Sequence, residues 1–198
     1  EDLQACQRKV EDHVTKFLYL GVGPPIRVAA SELLCELFTR GDNIALYSCV
    51  GKLQDWLNGK EARKVSDGGK ASILRCLGRL VDVFGTQLGS GFQESLTIAQ
   101  KLYKNQSAVV REEALLMLAS YVSVCTRDRF ACQAQEQSLK LAERASRDKS
   151  ESVRCASSRL LAAVGFAGGQ GLFTNGTAGF DEAVRVCLRG IEDPSRKV

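Results

Sequence analysis

The chain has 198 residues, with 27 Lys+Arg against 23 Asp+Glu and a net charge of +4. Hydrophobic residues make up 44% and charged residues 25%, proportions ordinary for a globular protein that exclude disorder as the main state. Only 3 Pro and 7% aromatics argue against a Pro-rich linker, a β-sandwich or an aromatic groove for single-stranded DNA, and so mild a charge does not force nonspecific nucleic-acid binding.

Apolar residues then recur at three- and four-residue steps, the mark of one buried helix face. Leu3, Cys6, Val10, Val14 and Phe17 predict a first helix over 2–20. Gly21-Val22-Gly23-Pro24-Pro25 ends it, and the prolines suit the first turn of a second helix over 26–40. Gly41-Asp42-Asn43 reads as a stop followed by an N-cap for a third over 43–58. Asn58 to Gly69 is a polar loop, and Ile73, Leu77, Leu80, Val81 and Phe84 carry a fourth helix over 69–86 that frays between Gly85 and Gly91. Further helices are predicted over 92–105, 108–126, 130–147 (weaker and Ala-rich) and 151–165. A Gly-rich stretch, 165–179, precedes a ninth over 180–191. No segment alternates as a half-buried strand must, so the predicted fold class is all-α.

The turns between alternate helices repeat. Asn105-Gln-Ser107-Ala-Val-Val110-Arg111 matches Asp148-Lys-Ser150-Glu-Ser-Val153-Arg154, and Asp193-Pro-Ser195-Arg-Lys-Val198 begins the same pattern. Gly21 to Arg27 is the same turn ending Ile26-Arg27, and Lys70 takes the Arg position in a degenerate copy. The basic residues step by 43, 41 and 43. Three residues further on stand Ala30, Ile73, Ala114 and Ser157, followed by Leu33-Leu34, Cys76-Leu77, Met117-Leu118 and Leu160-Leu161. This is the pattern of HEAT repeats, helical hairpins of roughly 40–47 residues. It predicts a right-handed α-solenoid of the ARM-type superhelix, one array over 1–198 with units about 2–40, 43–86, 92–126, 130–165 and 180–198, and B helices on its concave side. One hairpin cannot bury both faces, so stability comes from stacking. The Asp, Asn and Ser of each turn can cap the B helix, and the small residue lets A and B helices approach. Arg27, Lys70, Arg111, Arg154, Asp148 and Asp193 are the candidate members of a structural ladder along the turns. In it each basic residue would bond the preceding turn's carboxylate or carbonyls.

Several segments carry a more particular resemblance. They are Gln7-Arg8-Lys9-Val10-Glu11-Asp12, Gly23-Pro24-Pro25-Ile26-Arg27, Arg40-Gly41-Asp42-Asn43-Ile44-Ala45-Leu46-Tyr47-Ser48, Cys76-Leu77-Gly78-Arg79-Leu80, Val110-Arg111-Glu112-Glu113-Ala114 and Gly190-Ile191-Glu192-Asp193. Together they resemble the N-terminal region of the HEAT-repeat-containing protein 5 / SWEETIE family, whose animal and fungal members are clathrin-adaptor accessory proteins. The resemblance implies a non-enzymatic cytosolic scaffold in traffic between the trans-Golgi network and endosomes. Its partners would be proteins, among them a clathrin adaptor complex and its accessory subunits, and membrane association would run only through them. It brings no catalytic residue, cofactor or metal site. HEAT scaffolds of nuclear transport or phosphatase type, and nucleic-acid-binding HEAT proteins, are the alternative readings.

The remaining features read as structural. The 8 Cys form no Cys-x-x-Cys pair and mostly lie on apolar stripes, which suggests free, buried thiols in a reducing compartment. Cys125 and Cys132 have no companions at metal-ligand spacing, and His13, the sole histidine, permits no histidine-based triad or His-rich metal site. The Gly-rich stretch lacks the Gly-Lys-Ser/Thr of a phosphate loop. Asn105-Gln-Ser107 and Asn175-Gly-Thr177 are chance sequons. The basic clusters Lys60, Arg63, Lys64, Lys70 and Arg127, Arg129 are broken by Glu61, Asp67 and Asp128, as solvated loops would be. No run reaches the roughly 18–20 apolar residues of a membrane span. The start at Glu1 and the stop within a repeated turn suggest a fragment of a longer solenoid.

Overall fold

The computed structural model describes residues 2–124, 129–167 and 178–194. Its helices are α1 (Asp2–Leu20), α2 (Pro24–Arg40), α3 (Ile44–Asn58), α4 (Asp67–Leu88), α5 (Gln93–Leu102), α6 (Ala108–Val124), α7 (Arg129–Ala145), α8 (Glu151–Phe166) and α9 (Ala178–Glu192). Short 3-10 turns lie at Lys60–Arg63 and Gly89–Phe92. Among the described residues every regular element is helical, and the fold is an all-α solenoid of hairpins. The segment 168–177 with its Asn175 sequon, Cys125, Arg127, Asp128 and the final turn 195–198 lie outside the described residues, as do the side chains of Arg129 and Cys132.

Local chemistry sets the helix ends, not always as the sequence suggests. Pro24 and Pro25 occupy the first two positions of α2, where no amide proton is needed. Asn43 precedes α3 but makes no side-chain cap; Asp42 Oδ1 accepts from the Ile44 N–H instead, at 2.9 Å. Ser150 likewise makes no cap. The work falls to the residue two before each serine. Asn105 Oδ1 accepts from the Ser107 N–H at 2.8 Å, and Asp148 Oδ1 from the Ser150 N–H at 2.9 Å. These bonds fold the turn before the helix begins. The polar stretch after Asn58 is shorter than predicted, because Asp67 already opens α4.

A continuous core runs through the stack. Leu34 and Phe38 of α2 meet Leu74, Leu77 and Leu80 of α4, which continue into Leu115 and Leu118 of α6 and Val153 and Leu160 of α8. In the inner units both large residues of each pair are buried: Cys76 with Leu77, Met117 with Leu118. In the first unit Leu34 is covered while Leu33 stays 47% exposed, since a B helix packs on one side of it rather than two. Cys35, Cys49 and Cys76 lie in this core. Burial pushes the Cys35 thiol up to about 12 and raises Cys49 and Cys76 as well. They act as small apolar side chains.

The B helices α4 and α6, and α6 and α8, share the broadest interfaces. The A helices α1 and α3, like α5 and α7, share little backbone contact. The array therefore bends with its B helices on the inner side. At the first two turns the backbones approach closely, and the Val22 N–H donates to Ser72 Oγ at 3.3 Å. Gly21 has φ +85°, and a Cβ there would sit 2.6 Å from the Gly69 nitrogen. A Cβ on Gly69 would crowd the Tyr19 carbonyl oxygen in turn. Only glycines permit this approach.

Candidate functional site on the turns and the concave face

The later turns are joined by paired charges. Arg111 Nε donates to Asp148 Oδ2 at 2.9 Å and Nη2 to Oδ1 at 2.8 Å, a two-pronged contact. Arg111 Nη1 also donates to the Asn105 and Gln106 carbonyls at 3.0 and 2.7 Å. Arg154 repeats the arrangement one unit on. Its Nε and Nη2 bond the two oxygens of Asp193, and Nη1 bonds the Asp148 and Lys149 carbonyls. The direction differs from the sequence expectation: the carbonyls belong to each arginine's own turn, and the carboxylate to the following turn. Asp148 is a hub, with side chain held by Arg111 and backbone oxygen by Arg154. Burial disfavours its charge, but the Arg111 bonds and the Ser150 N–H outweigh that and hold the carboxyl below its ordinary value. The same bonds raise Arg111.

Arg27 and Lys70 depart from this pattern for a reason visible in the register. Asp148 stands six residues before Arg154, Asn105 six before Arg111, and Lys64 six before Lys70. Arg27 would meet a cation on the following turn, and Lys70 a neutral amide. Lys70 instead lies 3.4 Å from Asp67 of its own turn, whose Oδ1 is 3.5 Å from Asn105 Nδ2. Arg27 keeps a 3.4 Å bond to the Val22 carbonyl. It points inward and donates from Nη1 to Glu113 Oε1 at 2.7 Å, both side chains buried.

Glu113 brings this pair to the concave face. There a cavity of about 110 Å³ lies between α2, α4 and α6. Its walls include Val28, Leu74 and Met117, and its rim Glu32, Arg79 and Asp82. Arg79 Nε donates to Glu32 Oε1 at 2.8 Å. Arg75 Nη1 is 3.9 Å from Glu113 Oε2, too far to bond, and that oxygen makes no hydrogen bond. Burial pushes the Glu113 carboxyl up against the pull of Arg27 and Arg75, and burial also raises Asp82. The cavity is a mixed-charge notch with apolar walls.

The chain is 35% identical over all 198 residues to Protein SWEETIE of Arabidopsis thaliana. The chain belongs to the SWEETIE family of HEAT-repeat proteins. It spans 9% of the length of that relative. No family model and no solved structure matches it.

Other features of this SWEETIE-family segment have ordinary places. His13 is exposed, and its Nδ1 donates to the Lys9 carbonyl at 2.6 Å. Lys64 bonds Glu61 within its loop at 3.0 Å. Among the described residues no three His, Cys, Asp or Glu side chains could hold a metal ion, and no helix is long and apolar enough to cross a membrane. Sequence reading missed Glu113. Its position, two after the turn arginine, holds Ala29, Ser72 and Ala156 in the other copies, and that exception was the available signal.

Proposed function

We propose that this SWEETIE-family chain is a non-catalytic HEAT scaffold segment that binds proteins, in clathrin-adaptor-linked traffic between the trans-Golgi network and endosomes. The 35% identity to SWEETIE over all 198 residues supports the family half of the reading. The traffic half comes from the family's animal and fungal members. The notch lined by Glu113, Asp82 and Glu32 supports the inner face as a binding face. The turn bonds among Arg111, Asp148, Arg154 and Asp193, with the inward pair of Arg27, are read as structural, holding successive hairpins in one register. The chain forms a single array in this reading. The open apolar side of α9, where Leu188 and Ile191 are exposed, is the seam for a further helix. The test is affinity purification of the full-length protein with mass spectrometry. Recovery of adaptor or accessory subunits supports the proposal; consistent recovery of chromatin, ribosomal or nuclear-transport components refutes it.

A further inference from the structure

Splaying of the A helices opens a trough on the convex side, between α5 and α7. Two rows of side chains face each other across it. One is Thr97, Gln100, Lys101 and Lys104; the other is Gln137, Lys140, Leu141 and Arg144. Both rows follow the i, i+3, i+4, i+7 spacing of one helix face. The trough holds about 410 Å³, and no carboxylate lines it. Gln100 Nε2 donates to Gln137 Oε1 at 2.8 Å and ties the rows together. Lys101 reaches Asn58 at 2.9 Å. Lys104, Lys140 and Arg144 are exposed at the open end.

We propose that this trough is a docking site for an extended acidic segment of a partner protein, one carrying Asp or Glu at alternate positions. The spacing fits. Lys140 and Arg144 are four residues apart, about 6 Å along the helix axis. Carboxylates two residues apart on one face of an extended chain are separated by about 6.6 Å. Each bridging glutamine amide keeps an unused donor or acceptor, which serves the segment's backbone. A lipid surface fits less well. The two rows confront each other across a recess instead of presenting a plane, and no large exposed apolar side chain stands in the trough to enter a bilayer. Single-stranded nucleic acid would want aromatic side chains for stacking, and none lines the trough. The proposal rests on the scaffold reading, yet it concerns a different face from the notch.

Fluorescence anisotropy of the 198-residue chain with a labelled peptide of alternating Glu and Ser tests it, with a Gln-for-Glu peptide as control. The acidic peptide binds and the control does not. The triple variant Lys104→Gln/Lys140→Gln/Arg144→Gln binds at least about tenfold more weakly, with unchanged melting. Lys60→Gln/Arg63→Gln/Lys64→Gln removes the same charge elsewhere and leaves binding intact. Equal loss in both variants, or no acidic-peptide binding, overturns the proposal. So does loss by the trough variant of binding to phosphatidylserine vesicles or RNA when the peptide does not bind. Adaptor recovery by the full-length protein is read separately, so peptide failure leaves the scaffold reading standing.

Discussion

Replacing Arg111 with alanine removes four hydrogen bonds, two to Asp148 and two to the Asn105 and Gln106 carbonyls. Asp148 keeps the Ser150 N–H but loses its counter-charge. The two side chains are 10% and 12% exposed, which places them nearer a buried pair than a solvated one. Breaking a buried pair by deleting one partner costs about 3–5 kcal/mol, and an exposed pair about 0–1. We expect a loss of about 3 kcal/mol. For a chain of this size each kcal/mol moves Tm by about 2–4 °C, so Arg111→Ala should melt about 6–12 °C lower. Circular dichroism against temperature measures it. A double-mutant cycle with Asp148→Ala should return a coupling of about 2 kcal/mol. A Tm drop under about 2 °C, or coupling below about 0.5 kcal/mol, would show that the rung stabilises little. The pH sign follows from the lowered Asp148 value. Its contribution is present above the unfolded carboxylate value of about 3.9 and is lost as pH falls through the folded one.

Glu113 should behave oppositely. Its folded value is raised, so its contribution is present below about 4.3 and is lost as pH rises through the folded value. The stability deficit of Glu113→Gln should therefore shrink as pH rises from about 4 to 7, measured by urea titration; a growing deficit contradicts the assignment. Gly21→Ala should destabilise by about 2–3 kcal/mol, combining left-handed strain with a backbone clash. Gly51→Ala in α3 meets nothing within 4 Å and should stabilise by about 0.5–1 kcal/mol. Melting temperatures moving the same way in both would refute this. Cys35, Cys49 and Cys76 should resist a thiol reagent at pH 8 in the native protein while the exposed Cys6 and Cys187 react. Mass-spectrometric labelling of the buried three would disprove that.

The hairpins were legible because apolar periodicity and the Val-Arg turns are local signals. The starts of α6 and α8 fall where the repeated turn places them, while α2 and α4 begin two residues early, at Pro24 and Asp67. The ladder's direction was not legible from spacing alone, because Arg111 sits between Asn105 and Asp148 and either turn is within reach. Counting back six residues to Lys64 would have revealed that Arg27 has no carboxylate ahead of it. The trough stayed hidden for another reason. Its rows belong to different repeats, and only the splay of α5 from α7 sets Lys104 across from Arg144.

Arg111 and Arg154 find their carbonyls within their own turns but their carboxylates 37 and 39 residues further along the chain. A ribosome delivers the amino end first. A newly made hairpin thus emerges with its guanidinium half-satisfied until the opening turn of its successor has been synthesised. Maturation lags translation by one repeat, and a pause in elongation strands the latest hairpin in that unfinished condition.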